Sequence, residues 1–156
     1  MIRIGVLGDI GSGKSFVAKQ FGYPVFNADK EVRKLYQNSK KCFLKLKRKF
    51  PNYIKSFPVK KNNLLKLILA NKNNLKKITK IIHPEIRLLM YKFIKKNKNK
   101  KNIILDIPLL LENKINNKND ILIFVDAKKK EINKRIKRRK NYNYRVFKNL
   151  KKIQLP

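Results

Sequence analysis

The sequence predicts an α/β protein with three layers, α/β/α, built on a mostly parallel sheet. Three observations carry that prediction. An apolar run from Met1 to Leu7 leads straight into Gly8-Asp9-Ile10-Gly11-Ser12-Gly13-Lys14-Ser15, which fits G-x-x-x-x-G-K-[ST] at every fixed position. Two more apolar runs, Ile103 to Leu105 and Ile121 to Val125, each end in an aspartate, Asp106 and Asp126. Between them lie stretches with three- and four-residue apolar spacing, so strands buried on both faces alternate with helices.

The first run and its loop are the most informative element. A phosphate loop needs a buried strand to aim it, glycines that tolerate positive φ, and a following helix whose N-terminus carries partial positive charge. Gly8, Gly11 and Gly13 are three of only five glycines in the chain, so the loop concentrates a residue used sparingly elsewhere. An ATP-binding set of Gly8, Gly11, Ser12, Gly13, Lys14, Ser15 and Phe16 follows, the architecture being that of a P-loop NTPase. Lys14 is expected to reach the β- and γ-phosphates, Ser15 to offer its oxygen to Mg²⁺, and the backbone amides from Gly11 to Phe16 to wrap the phosphates. The bland alternative, a glycine turn without a ligand, does not call for a lysine followed by a hydroxyl.

Composition sets the outer bounds. At 156 residues the chain suffices for one α/β domain with insertions and is short for two. No stretch has the length of uncharged apolar sequence that a membrane span needs, and no signal-peptide pattern opens the chain, so a cytoplasmic protein is expected. Cys42 is the single cysteine, which excludes an internal disulfide and makes a poor nucleophile candidate in its Lys-rich surroundings. The formal charge of +33 points at first to nucleic acid. Yet the lysines are spread with Asn and Ile through nearly every segment, without interleaved aromatic platforms. That spread argues against a nucleic-acid partner and for a field that attracts ATP and other phosphorylated ligands.

Along the chain, Ser15 to Phe21 should open a helix that Gly22-Tyr23-Pro24 ends. A short strand, Val25-Phe26, then delivers Asn27-Ala28-Asp29 at its carboxyl end, where open parallel sheets bind ligands. Asp29 is therefore a catalytic candidate facing the phosphate loop, or an N-cap of the next helix. From Lys30 to Lys98 the pattern is helical: Val32, Leu35 and Tyr36, then Leu64, Leu65, Ile68 and Leu69, with breaks at Pro51 and Pro58. A long helix from about Leu75 to Lys96 carries Pro84, which predicts a kink or a break. Asn113 to Asn119 reads as a polar loop, and Lys128 to Arg145 as a basic helix. The expected organisation is one kinase domain over 1–156, with a core of 1–29 and 101–127, a helical substrate-binding insertion over about 30–100, and a basic lid with C-terminal helices over about 128–156.

This ordered set resembles the dephospho-CoA kinase family, P-loop kinases of the nucleoside-monophosphate-kinase kind. The resemblance rests on the loop at 8–15, Asn27-Ala28-Asp29, His83-Pro84, Pro108-Leu109-Leu110-Leu111-Glu112, Val125-Asp126, Arg135 with Arg139, and Gln154. It implies transfer of the ATP γ-phosphoryl group to the ribose 3′-hydroxyl of dephospho-CoA, the last step of coenzyme A biosynthesis. ATP and dephospho-CoA are then the substrates and Mg²⁺ the metal. It further implies that Asp29 orients and deprotonates the acceptor hydroxyl, while Lys14, Arg135 and Arg139 offset charge on the transferring group. Asp106 is a candidate to approach Mg²⁺ through water. His83 either contacts the substrate or caps its helix, Glu112 lines the substrate side or packs there, and Arg135 and Arg139 could form a solvated helix face.

The sequence departs from the family pattern at Asp9, Phe16 and Lys140, and it stops at Gln154-Leu155-Pro156, where the pattern continues with another strand and helix. The expectation is retained triphosphate recognition, poor discrimination between ATP and GTP, and an uncovered sheet edge. Three other readings stay open: a related kinase for a nucleoside monophosphate or another small hydroxyl acceptor, a basic nucleic-acid-binding protein with a regulatory nucleotide site, and an inactive shortened relative. Oligomeric state is not legible.

Overall fold

The computed structural model describes residues 1–108, 110, 111, 114–138, 143, 144 and 148. Leu109, Glu112, Arg139, Lys140, Arg145 and the Gln154-Leu155-Pro156 segment, all used in the sequence reading, lie outside the described residues. The chain divides into two compact units, Met1–Ala28 with Phe93–Pro156, and Asp29–Lys92.

The first unit holds the sheet. Its strands are β1 (Ile2–Leu7), β2 (Val25–Asn27), β3 (Asn102–Asp106) and β4 (Ile121–Phe124), in the spatial order β2-β3-β1-β4. Every pairing is parallel, with Ile4 opposite Ile104 and Ile121, and Asn27 opposite Asp106. Parallel pairing puts all four carboxyl ends at one end of the sheet, so the loop after β1 and Asp106 at the end of β3 are neighbours by construction.

The two-residue alternation along β1 sorts the core. Ile4 and Val6 point to one face, where they pack with Ile104 and with Ala18 of helix α1 (Lys14–Gln20). Gly5 points to the other. A Cβ built there would lie 2.6 Å from Leu110 Cδ2 and 3.0 Å from Leu122 Cδ2, so Leu110 fills the space that a side chain at position 5 would take. On β2, Phe26 meets the ring of Phe93 at 5.6 Å between centroids. β3 is buried along its whole length, as its apolar run predicts. β4 differs from expectation: it ends the strand order, and Ile121, Leu122 and Phe124 are exposed, so it is not covered on both faces. The loop before β4 is pinned by Arg3, whose guanidinium bonds Asp120 Oδ2 at 2.9 Å and Ile115 O at 3.3 Å. Helix α6 (Lys129–Lys137) ends at the C-cap Arg138, and the stretch from Arg139 to Arg145, where the basic helix is expected to continue, lies largely outside the described residues.

The second unit contains α2 (Ala28–Asn38), α3 (Lys40–Lys49), α4 (Lys61–Ala70) and most of α5 (Lys72–Lys96). Ser39 caps α3 by accepting from Cys42 N at 3.1 Å. Helix α5 buries Ile78, Ile82, Ile86 and Met90 at four-residue spacing. Of the expected kink or break at Pro84, the break does not occur, and the helix continues through it: one missing N–H removes a single backbone bond, while the buried stripe continues on both sides. In α4 the buried pair is Leu64 and Leu67, and Leu69 is exposed, so the expected 64-65-68-69 face is rotated. Glu85 of α5 takes the ammonium groups of Lys41 at 3.2 Å and Lys45 at 2.9 Å, which hold its carboxyl below the ordinary carboxylate value. Beside them Cys42 is fully buried, and burial, with a smaller push from Glu85, raises its thiol to about 11. It is protonated at neutral pH and is no nucleophile.

Gly5 supplies a stability test. Gly5→Ala should lower unfolding stability by about 1–3 kcal/mol, because Leu110 is buried and has little room to withdraw. Urea denaturation measures it, and Leu110→Ala in the same chain should relieve the clash.

Candidate functional site

The loop between β1 and α1 forms because its glycines accept a backbone that other residues resist. Gly8, Gly11 and Gly13 have φ of 134°, 94° and 108°. Space is as restrictive as torsion, since a Cβ on Gly8 would lie 2.4 Å from Val125 O, and one on Gly11 would lie 2.8 Å from Ile136 Cγ1. Bonds within the loop hold its shape: Ser12 N donates to Asp9 O at 3.0 Å, and Phe16 N to Gly13 O at 2.9 Å. Gly13 is the N-cap of α1, in the left-handed region and without a side-chain cap. The N–H groups of Gly11, Gly13 and Ser15 have no protein acceptor among the described residues, and all three belong to the phosphate loop and its junction with α1.

Lys14 and Arg135 bring cationic charge to this loop. The Lys14 ammonium donates to Gly8 O and Asp9 O, each at 2.7 Å. Arg135 arrives from α6, whose buried Ile132 and Ile136 pack over Gly11. Its Nη1 donates to Ser12 O at 2.8 Å and lies 3.4 Å from the position a Gly13 Cβ would occupy. The arginine thus sits over the loop backbone on a helix anchored by its own apolar face.

A polar cluster stands beside the loop at the carboxyl ends of β2 and β3. Asn27 Nδ2 bonds Asp106 Oδ2 and lies 3.4 Å from Ser15 Oγ. Asp106 is buried and Ser15 exposed, so the Asn27 amide bridges a carboxylate of the sheet to the hydroxyl of the loop. The sequence reading named Ser15 and Asp106 and passed over this amide. The strand pairing of Asn27 with Asp106 is what joins them, and a sequence does not print its register.

The remaining predicted residues fall elsewhere. Phe16 is 70% exposed on the first turn of α1. Asp29 belongs to the first turn of α2, which starts at Ala28, so it lies inside the helix and not at the N-cap. One residue, Ala28, separates it from Asn27, and a carboxylate there interacts favourably with the helix dipole. His83 is half-buried within α5, away from either helix end, so it caps nothing; burial and then the Arg87 guanidinium lower its pKa. Arg139 and Glu112 lie outside the described residues. No group of three or more His, Cys, Asp or Glu side chains that could hold a metal occurs among the described residues.

Comparison with known proteins agrees with this geometry. The family model described as Dephospho-CoA kinase matches residues 2–156. A dephospho-CoA kinase from Wolbachia sp. subsp. Brugia malayi is 34% identical over 158 residues, covering 98% of this chain and 80% of the relative. One from Wolbachia pipientis wMel is 36% identical over 129 residues, covering 80% of this chain and 66% of the relative. The crystal structure of TT1252 from Thermus thermophilus superposes with a TM-score of 0.77 at 28% identity, covering 99% of this chain and 81% of that one. A phosphate loop on a parallel sheet, with a family match that runs the length of the sequence, places this chain in the dephospho-CoA kinase family, the kinases of the last step of coenzyme A biosynthesis.

Proposed function

We propose that the chain transfers the γ-phosphoryl group of ATP to the ribose 3′-hydroxyl of dephospho-CoA, with Lys14 and Arg135 balancing charge on the transferring group and Asp29 as the base. The observation that supports the reading is the loop itself: amides of Gly11, Gly13 and Ser15 without an acceptor among the described residues, with Lys14 and Arg135 beside them. Such a loop suits a polyphosphate, because each oxygen finds an N–H without having to reorganise the chain.

The residues then divide the work. Lys14 exchanges the carbonyls of Gly8 and Asp9 for phosphate oxygens. Arg135 uses one of its five N–H groups on Ser12 O, so it can stay anchored to the loop while its other donors face a phosphate. Asp29, just past the end of β2, accepts the proton of the acceptor hydroxyl as the oxygen attacks phosphorus, and the β–γ bridging oxygen leaves with ADP. The helical insertion expected over about 30–100 supplies the acceptor side, with His83 and Glu112 as contacts, and Arg139 joins Arg135 on the lid. Excluding water when the lid closes keeps ATP from hydrolysis.

The donor set fits Mg²⁺. Ser15 Oγ and the Asp106 carboxylate are hard oxygens drawn together by one amide, and Mg²⁺ takes few protein ligands when phosphates and water supply the rest. When bound, the ion neutralises phosphate charge. Ser15 is assigned as the direct ligand and Asp106 as the partner through water. We place the reaction in the cytoplasm, where ATP and Mg²⁺ are plentiful; no described helix is long and apolar enough to cross a membrane.

A coupled assay with ATP, Mg²⁺ and dephospho-CoA tests the whole reading, and a preference for a nucleoside monophosphate as acceptor would overturn it. Lys14→Ala should abolish transfer and weaken ATP binding with the fold intact by circular dichroism. Asp29→Asn should lower kcat by about 10²-fold or more with ATP affinity nearly preserved; a loss of stability alone would reduce Asp29 to a helix-terminus charge. Arg135→Lys keeps the charge and loses the planar fork, so the rate should fall. Full activity in that variant would return Arg135 to a solvated face.

A further inference from the structure

The opposite end of the sheet carries an open cavity. It measures about 560 Å³ and is lined by Gly22, Tyr23 and Pro24, which lead into β2, and by Lys100, Lys101 and Asn102, which lead into β3. Because the strands are parallel, these amino ends lie a full strand length from the phosphate loop, about 16 Å for the five residues of β3. The site therefore shares no residue with the kinase centre.

Its chemistry is specific in kind. Tyr23 is exposed, and Gly22, in the left-handed region at φ 68°, has nothing within 4 Å of where a Cβ would stand, so the mouth beside the ring is open. Lys100 and Lys101 form no ion pair or side-chain hydrogen bond among the described residues. They are not needed to balance helix dipoles, because Lys19 occupies the last turn of α1 and Lys95 and Lys96 the last turn of α5. The second, independent feature is Asn102. It is only 8% exposed, it lines the cavity, and its side-chain amide has no partner among the described residues. The amide reaches the solvent of the cavity, so its donor and its acceptor are both open to a ligand.

We propose that this cavity binds a nucleoside phosphate, free or as a unit of single-stranded RNA, with the base stacked on Tyr23, its edge on the Asn102 amide and the phosphate on Lys100 and Lys101. An aromatic face, an amide and paired cations are the three features that single-strand recognition combines. The volume falls within the range of small-ligand sites, roughly 300–1,000 Å³. The overall charge of +33 strengthens encounter with such a ligand but does not select this spot, so the test has to separate the cavity from bulk charge.

The experiment uses the full chain and a 5′-labelled decauridylate followed by fluorescence anisotropy across a salt series. The double variant Lys100→Gln, Lys101→Gln should weaken binding about tenfold or more and lower the salt slope by about 1–2. Tyr23→Leu should weaken it about five- to a hundredfold with the salt slope unchanged. Each variant should keep wild-type kinase activity, since none of these residues belongs to the phosphate loop or its cluster. The control Lys47→Gln, Lys49→Gln removes the same charge from α3. Equal weakening by the two lysine pairs, or no effect of Tyr23→Leu, would overturn the proposal. Competition by uridine monophosphate distinguishes the sources: displacement at millimolar concentration identifies a free nucleotide as sufficient, and no displacement identifies the strand. Failure here leaves the coupled assay for dephospho-CoA untouched.

Discussion

The close approach of glycine backbone to its neighbours in the phosphate loop is the constraint on which the functional end of the molecule depends. Gly8 lies so near Val125 O that no side chain fits between them, and Gly11 lies almost as near Ile136. The first contact ties the loop to the end of β4, and the second seats α6 on it. Arg135 reaches Ser12 O only because Ile132 and Ile136 on the same helix are buried against the loop. A methyl group at position 8 or 11 would therefore disturb the strand end, the helix and the arginine together, beyond the torsional strain it would meet.

A second layer of order comes from register. Parallel pairing of Asn27 with Asp106 sets an amide beside a carboxylate, and the position of α1 brings Ser15 into the same group. Slipping β2 by one residue would turn Asn27 to the other face and leave Asp106 buried without that partner. The cluster is thus a consequence of sheet pairing, and sheet pairing is held by the apolar alternation of Ile4, Val6 and Ile104 against Ala18.

Charge plays a smaller part in stability than its size implies. Acidic groups are few, and the ion pairs around Glu31 and Glu85 are on the surface, where such pairs contribute little. Arg3 with Asp120 is the exception, because the aspartate is nearly fully buried and also receives Asn117 N at 2.8 Å, which fixes the loop before β4. Most of the other described lysines are exposed. Their consequence is an electrostatic field that draws in phosphorylated ligands and weakens as salt rises.

The sequence alone determined the fold class, the strand positions and the phosphate loop that carries Lys14 and Ser15. Those features are local: a glycine pattern, an apolar run or a helical period is complete within about a dozen residues, so it can be read without knowing what it packs against. Tertiary structure decided what depends on partners far along the chain. The Asn27 bridge needs β2 paired to β3, the seat of Arg135 needs α6 packed on Gly11, and the exposure of β4 follows from its place at the end of the strand order. The unbroken course of α5 through Pro84 belongs to the same class, since a buried stripe of isoleucines outweighed the local signal of proline. So does the place of Asp29 inside its helix, because α2 starts two residues earlier than a cap at Asp29 implied.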